Sequence, residues 1–439
     1  MKPLIFIIIC VILAIQSGQS QTIHSEKLNE YFQVLEENNK FMGSIAIIKN
    51  GEIIYQNSVG FSNVEANKTN TDKTKYRVGS ISKTFTSTLI MKAVEDDVLS
   101  LNQTIDAFFS KIKNADKITV ENLLNHSSGI HNFTTEKNYV QYYMTKKSEA
   151  EMLELFSDME SDFEPNTKSA YSNTNYVLLS YILQKVYNQS FGEILYQKIT
   201  KPLHLKDTYF GSTINLANDE NYSYRYLGDW QIQNETDTSI PMGAGSIVST
   251  STDLATFIDA LFKEEIVSKE SLNTMTTINK GYGFGLIKIP FYDHISYGHN
   301  GMIDGFNSSF GYFPEENIGF ALTSNGLNYE TNEIIITLLN SIFNKAFDIP
   351  SFKTVELTSE DLDKYVGTYS CNELPIKFSI TKSDNTLMVQ ATGQSQLPLV
   401  AFDNHVFKFD QAGAVFQFYP QKNQMDFKQS GMKYKLTRE

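Results

Sequence analysis

The period of the apolar positions changes along this chain, and those changes divide it. Over residues 23–38, Leu28, Tyr31, Phe32 and Leu35 recur at three and four, which predicts an amphipathic helix. Gly43-Ser44-Ile45-Ala46-Ile47-Ile48-Lys49 reads as a strand, Asn50-Gly51 as a type I′ turn, and Glu52-Ile53-Ile54-Tyr55 as the returning strand. A polar connector over residues 63–75 follows. The helical period returns over residues 82–98 with Phe85, Leu89, Ile90, Ala93 and Val94. Residues 118–130 predict a helix closed by Gly129, residues 138–160 are mostly helical and polar, and residues 176–183 open a second strongly apolar helix. Ser251-Thr252-Asp253-Leu254 looks like a capped helix start running to Phe262. From Gly281 the period drops to two, predicting strands over 282–286, 296–299, 308–313 and 318–324, before a last helix over 330–347. Strands at both ends of a helical middle predict one sheet assembled from distant pieces of sequence. That is an α+β layout and not a series of βαβ units.

Pro350-Ser351 marks a boundary. Beyond it eight short strands follow one another, over 366–369, 376–380, 387–391, 397–402, 406–409, 415–419, 425–428 and 432–436. Turn signals such as Ser383-Asp384-Asn385 and Gln411-Ala412-Gly413 separate them. This predicts a small antiparallel β-barrel, and no catalytic constellation is visible in it. The expected organisation is therefore 1–20, 21–350 and 351–439. The first of these is a secretory signal: Lys2, an apolar run from Leu4 to Ile15, then small and polar residues to Ser20. The run is short for a membrane span, so cleavage near Ser20 is expected over retention as an anchor, with no stable membrane insertion afterwards. The expected location is the bacterial periplasm or the extracellular space.

Composition narrows the classes. The 439 residues exceed one typical core, and 41% hydrophobic residues suffice for packed interiors. A net charge of −13 with no basic run argues against nucleic acid or anionic membrane as a partner. Cys10 leaves with the signal, so Cys371 has no partner and the mature chain has no internal disulfide or cysteine-based zinc site. The seven histidines show no metal-ligand spacing, and there is no Gly-rich phosphate loop, so neither a metal nor an organic cofactor is expected.

The chemistry begins at Gly79-Ser80-Ile81-Ser82-Lys83. If a helix starts near Ser80, the hydroxyl of Ser80 and the amine of Lys83 are neighbours one turn apart, at the helix end that favours negative charge. Nucleophilic catalysis by serine needs a hydroxyl, a base and donors for an oxyanion. Ser-x-x-Lys alone is a weak signal, since it recurs at Ser110 and Lys113. Order and context strengthen it: Tyr171-Ser172-Asn173 lies just before the second apolar helix, and His299-Asn300-Gly301 ends a strand late in the same domain.

With Ser80-x-x-Lys83, Tyr171-x-Asn173 and His299-x-Gly301 in this order, residues 25–347 resemble the serine β-lactamases and penicillin-binding proteins, specifically the class C β-lactamase, D-aminopeptidase and esterase branch. The framing segments Leu123-Leu124-Asn125-His126-Ser127-Ser128-Gly129-Ile130 and Gly243-Ala244-Gly245-Ser246-Ile247-Val248-Ser249-Thr250 are also similar to that family. The resemblance implies a β-lactamase-like domain, an antiparallel sheet flanked by helices plus a helical subdomain, followed here by a lipocalin-like barrel. It implies an acyl-enzyme on Ser80, with Asn173 on the substrate amide, Gly301 letting substrate lie along the strand edge, and the oxyanion between the backbone N–H groups of Ser80 and Met302. Either Lys83, made neutral by burial, or Tyr171, its pKa depressed by neighbouring cations, would be the base. His299 stands where β-lactamases carry lysine. With an ordinary pKa near 6.5 it is mostly neutral at pH 7, so recognition of a substrate carboxylate should be weak and pH-dependent. The expected activity is hydrolysis of a small-molecule or peptide substrate: a small amide, D-amino-acid peptide or ester. β-Lactamase or D,D-carboxypeptidase activity is the alternative, and a non-catalytic binding or scaffold protein is the alternative of another class. The sequence sets no oligomeric state.

Overall fold

The computed structural model describes residues 23–403, 405–429 and 432–439. The signal pattern, including Lys2, Cys10 and Ser20, lies outside them.

The strand Phe41–Lys49 is buried on both faces, because its alternate side chains enter two different cores. Ile45 and Ile47 meet the helices Ser25–Glu37 and Thr331–Ile342, while Ala46 and Ile48 meet the large helical side of the molecule. Asn50 and Gly51 both have positive φ, as the type I′ turn requires, and return the chain into Glu52–Val59. On its other edge Phe41–Lys49 pairs antiparallel with Ile318–Leu327, and beyond that lie Phe306–Phe313, His294–Ile303 and Ile287–Phe291. The first strands of the chain are therefore zipped to the last strand of the same domain, the expected α+β arrangement.

One strand expectation needs correction. Residues 282–286 are not a strand. Gly283 and Gly285 pack so closely on the carbonyl oxygens of Met275 and Lys83 that an added Cβ would stand 2.4 and 2.6 Å away, and the segment bends against the central helix. The edge strand is instead Ile287–Phe291, which holds Pro290, a residue the edge of a sheet tolerates because one side needs no ladder hydrogen bond. The 138–160 region contains two short helices, Tyr139–Tyr142 and Glu149–Ser157, with a break between them.

The helical side is organised around Ser82–Glu95, in which every residue from Ser82 to Met91 is buried. Its polar side chains are satisfied internally: Thr84 Oγ1 donates to Gly285 O (2.6 Å), Thr86 Oγ1 to Gly243 O (2.7 Å), and Ser87 Oγ pairs with the Tyr176 hydroxyl (3.1 Å). These bonds fasten the loops around 243 and 285 to the helix that starts at the candidate nucleophile.

Eight antiparallel strands from Gly367–Cys371 to Met432–Arg438 close into a barrel with its own core, which includes Tyr369, Phe378, Phe407, Phe416, Phe418 and Phe427. The short helical turn Asp410–Ala412 carries the barrel onto the sheet domain. Lys40 Nζ and Asp410 Oδ2 are 2.7 Å apart, and Gln411 Nε2 donates to Asn328 Oδ1 (3.1 Å).

Candidate active site

Gly79 has a φ of +51°, a conformation that costs glycine little, and it turns the chain from Tyr76–Arg77 into a single 3₁₀ turn, Gly79–Ile81. That turn runs directly into Ser82–Glu95. Ser80 and Lys83 are thereby on one face, and Lys83 Nζ lies 2.9 Å from Ser80 Oγ. Lys83 is fully buried, and desolvation holds its pKa well below the ordinary lysine value. A neutral amine has two N–H bonds and one lone pair. Two carbonyl oxygens, which can only accept, take the N–H bonds: Asn173 Oδ1 at 2.8 Å and Ala244 O at 2.8 Å. The lone pair remains for Ser80.

Tyr171 approaches Ser80 from the opposite side, its hydroxyl 2.8 Å from Oγ. Burial raises its pKa far above the ordinary tyrosine value, and the hydrogen bond to Ser80 offsets this only in part. The phenol keeps its proton and donates to Oγ, so the proton of Ser80 itself is directed at Lys83. Of the two base candidates the sequence left open, the form with a depressed Tyr171 is disfavoured, because burial raises the phenol's pKa and also holds down the charge of the neighbouring Lys83.

Asn173 opens the helix Asn173–Tyr187. Its Oδ1 holds Lys83 and its Nδ2 donates to Thr134 Oγ1 (3.0 Å), so both ends of this amide position neighbours. His126, flagged in sequence only as part of a framing segment, lies under Tyr171 with ring centroids 4.6 Å apart. Its Nδ1 accepts the backbone N–H of Ser172 (3.2 Å), so the ring is neutral with its proton on Nε2. Burial holds its pKa well below the ordinary value, reinforced by Lys83 and His299. Ala244, whose carbonyl fixes Lys83, sits in the other framing segment. The fixed partner of Lys83 is thus a backbone atom, which no side-chain pattern reports.

His299 and Gly301 lie on His294–Ile303. At Gly301 an added Cβ would come within 2.0 Å of Val78 O and 3.1 Å of Ser80 N; at Gly79 it would come within 2.7 Å of Met302 N. The peptide groups at 79–80 and 301–302 therefore face each other at van der Waals distance, with Met302's side chain 75% exposed beside them. His299 Nδ1 donates to Asn300 O (2.5 Å), leaving Nε2 with a lone pair. Burial, and secondarily Lys83, lower its pKa to about 4. This moves the titration expected near 6.5 out of the neutral range. Its folded pKa being below its unfolded one, the unfolded chain binds more protons between about 4 and 6.5, and stability falls as pH drops through that window. The expected consequence for substrate is a KM constant within about twofold from about pH 5.5 to 7, since the charge of His299 does not change there. Steady-state kinetics across that range check it, and a KM that breaks near pH 6.5 would place a titrating imidazole against substrate.

Ser80, Tyr171, Asn173, His299, Gly301 and Met302 line a cleft of about 850 Å³ that extends past Thr134, Tyr139 and Tyr143 to Asn234, Asp304 and Asn332. Beneath it Arg77, itself buried, bonds the carboxylate of Glu235 and lies 3.6 Å from that of Asp304, which also accepts from Thr236 (Oγ1, 2.6 Å). Among the described residues that line the cleft none is a lysine or arginine.

A family model described as Beta-lactamase matches residues 31–339. Penicillin-binding protein 4* of Bacillus subtilis is 23% identical over 85% of this chain and 88% of its own length. The teichoic acid D-alanine hydrolase of Staphylococcus aureus is 25% identical over 62% of this chain, and the match spans 64% of that protein, under two thirds of its length. Among solved structures, the octameric penicillin-binding protein homologue from Pyrococcus abyssi is 27% identical, with a TM-score of 0.69 over 94% of this chain and 100% of that one. The D-stereospecific amidohydrolase from Streptomyces sp. is 25% identical, with a TM-score of 0.62 over 72% of this chain and 99% of that one.

Proposed function

Because the chain belongs to the beta-lactamase family, a family of serine-hydrolase type, we propose that it is an exported hydrolase that forms an acyl-enzyme on Ser80 and acts on D-amino-acid amides, peptides or esters that carry a free amine. One observation carries the mechanism: fully buried Lys83, its pKa held down by desolvation, lies 2.9 Å from Ser80 Oγ, and two carbonyl oxygens stand ready to take the N–H bonds of its neutral form. Lys83 takes the Ser80 proton as Oγ attacks the acyl carbon. The oxyanion is held between the backbone N–H groups of Ser80 and Met302. Tyr171, still protonated, supplies the proton that the leaving amine or alkoxide needs, and the ammonium of Lys83 restores it. Water then cleaves the ester on Oγ, with the same groups acting in reverse.

The charge of the cleft supports the substrate class. A carboxylate or polyanionic substrate finds no lysine or arginine among the lining residues, and burial keeps Lys83 and His299 from carrying charge there. An ammonium finds the lone pair of His299 and the rings of Tyr139 and Tyr143. The similarity to a D-stereospecific amidohydrolase supports the same reading, whereas a teichoic acid polymer, with its phosphates, suits this cleft less well. Export rests on the apolar N-terminal run from Leu4 to Ile15.

The test has two arms. Intact-protein mass spectrometry after reaction with a mechanism-based acylating probe should give one adduct on Ser80, absent from Ser80→Ala. D-Amino-acid p-nitroanilides with a free amine should be cleaved at least about tenfold faster than their N-acetyl forms, about 1.4 kcal/mol of discrimination. No adduct would favour a non-catalytic binding protein. Fast turnover of a nitrocefin-type lactam would favour a β-lactamase.

A further inference from the structure

The barrel is not packed solid. Three rings, Phe378, Phe416 and Phe427, lie 4.7 to 5.5 Å apart between centroids and form a floor across its interior. Above that floor, at one mouth, is a cavity of about 130 Å³ walled by Val389, Ala391, Leu397, Phe409, Ala412 and Ala414, with the amides of Gln394 and Gln429 at its edge. An enclosed apolar cavity of about 150 Å³ takes up benzene, so the space at this mouth has room for about one ring.

The wall of this cavity has a second role. Phe409, Ala412 and Ala414 flank and form the 410–413 turn, and Gln429 Nε2 donates to Ala412 O (3.0 Å). The outer side of the same turn docks on the sheet domain. Asp410 meets Lys40, Gln411 meets Asn328, and Gly413 packs on Glu330 so closely that a Cβ would stand 3.0 Å from its Cγ. Lys40 also lies over the ring of Phe352, 4.9 Å from its centroid. Residues 331 and 332, which follow immediately, line the active-site cleft. One turn of chain thus has the barrel cavity on one side and the support of the cleft wall on the other.

We propose that this mouth is a second binding site, for an uncharged aromatic or short aliphatic molecule of about benzene size, and that its occupancy shifts the 410–413 turn and the junction it docks on. The lining selects the class. Aromatic and small aliphatic side chains offer dispersion contacts and no charge, and two amides at the rim allow one polar substituent to face outward.

The junction carries its own reporter. The chain has one tryptophan, Trp230. Its indole N–H donates to Asn39 Oδ1 (3.2 Å), and Asn39 O accepts from Asn328 Nδ2 (3.2 Å), the residue that Gln411 holds. Fluorobenzene titrated into the full-length protein should give saturable line broadening in ¹⁹F NMR, with a parallel change in Trp230 emission. Ala414→Leu and Ala391→Leu, made separately in case one fails to fold, should each weaken binding about tenfold or more by filling the cavity. Gln411→Ala should retain fluorobenzene binding and lose the tryptophan response. No saturable binding, or binding untouched by both filling variants, overturns the site. Binding that leaves Trp230 emission unchanged overturns its link to the junction. Neither readout depends on catalysis, so the outcome is separate from that of the proposed hydrolysis.

Discussion

Ser80→Ala and Lys83→Met should each lower kcat/KM by about 10³–10⁴-fold, and the double variant should be no slower than the worse of the two. The two residues act as one unit, because the only lone pair of Lys83 serves Ser80, so removing either leaves the other with nothing to do. Lys83→Arg should fail as completely, since a guanidinium stays charged and accepts no proton. Steady-state kinetics of the four variants check this, and multiplying losses in the double variant would mean that Lys83 has a task apart from Ser80. Lys83→Met has a second signature in stability. The buried amine has a folded pKa well below its unfolded value of about 10.4. Between those values the unfolded chain binds one more proton than the folded chain, so wild-type stability rises with pH relative to Lys83→Met, by up to about 1.4 kcal/mol per unit. Urea unfolding of both proteins at about pH 8 and 9.5 measures the difference; parallel changes would show that the lysine is charged in the fold.

Gly301→Ala should cost about 10²–10³-fold in kcat, the size of effect seen when an oxyanion donor is lost. The methyl group has no room, with Val78 O 2.0 Å and Ser308 Oγ 2.4 Å from its position. Backbone on one side and a strand neighbour on the other do not yield, so His294–Ile303 must withdraw from the 79–80 turn and carry the Met302 amide away from that of Ser80. KM should change much less, because a ground-state carbonyl depends less on those two donors than the oxyanion does. A thermal melt separates this from general unfolding. A variant that melts normally and turns over at the wild-type rate would remove the 301–302 backbone from the chemistry.

Much of this arrangement is legible in the chain. Alternation predicts the barrel strands, because each has one face in a core and one in water. The three motifs mark Ser80, Lys83, Tyr171, Asn173, His299 and Gly301, and the fold brings all of them to one cleft. What cannot be read is anything that depends on how dry the site is. The pKa of Tyr171 rises and that of His299 falls for the same reason, burial, and burial at these positions comes from helices and strands distant in sequence. Residues 282–286 defeat pattern reading because Gly283 answers to the backbone of the helix Lys269–Thr276 and Gly285 to that of the central helix, and neither to a neighbouring strand. Arg77, Glu235 and Asp304 meet from three separate segments and carry no local signature.

The register that joins Phe41 to Leu327 and Lys49 to Ile318 has a kinetic meaning. A sheet whose central pairing spans most of a domain pays its loop-closure entropy late, and topologies of this kind fold slowly. The turn at Ser80 rests on His294–Ile303, which lies two strands beyond Ile318–Leu327 in the same sheet. The proposed nucleophile Ser80 therefore lacks the facing 301–302 backbone until the chain has been made almost to the end of the domain. On the proposed mechanism, a chain wired in this order is silent while nascent and becomes active only once its last sheet strands arrive.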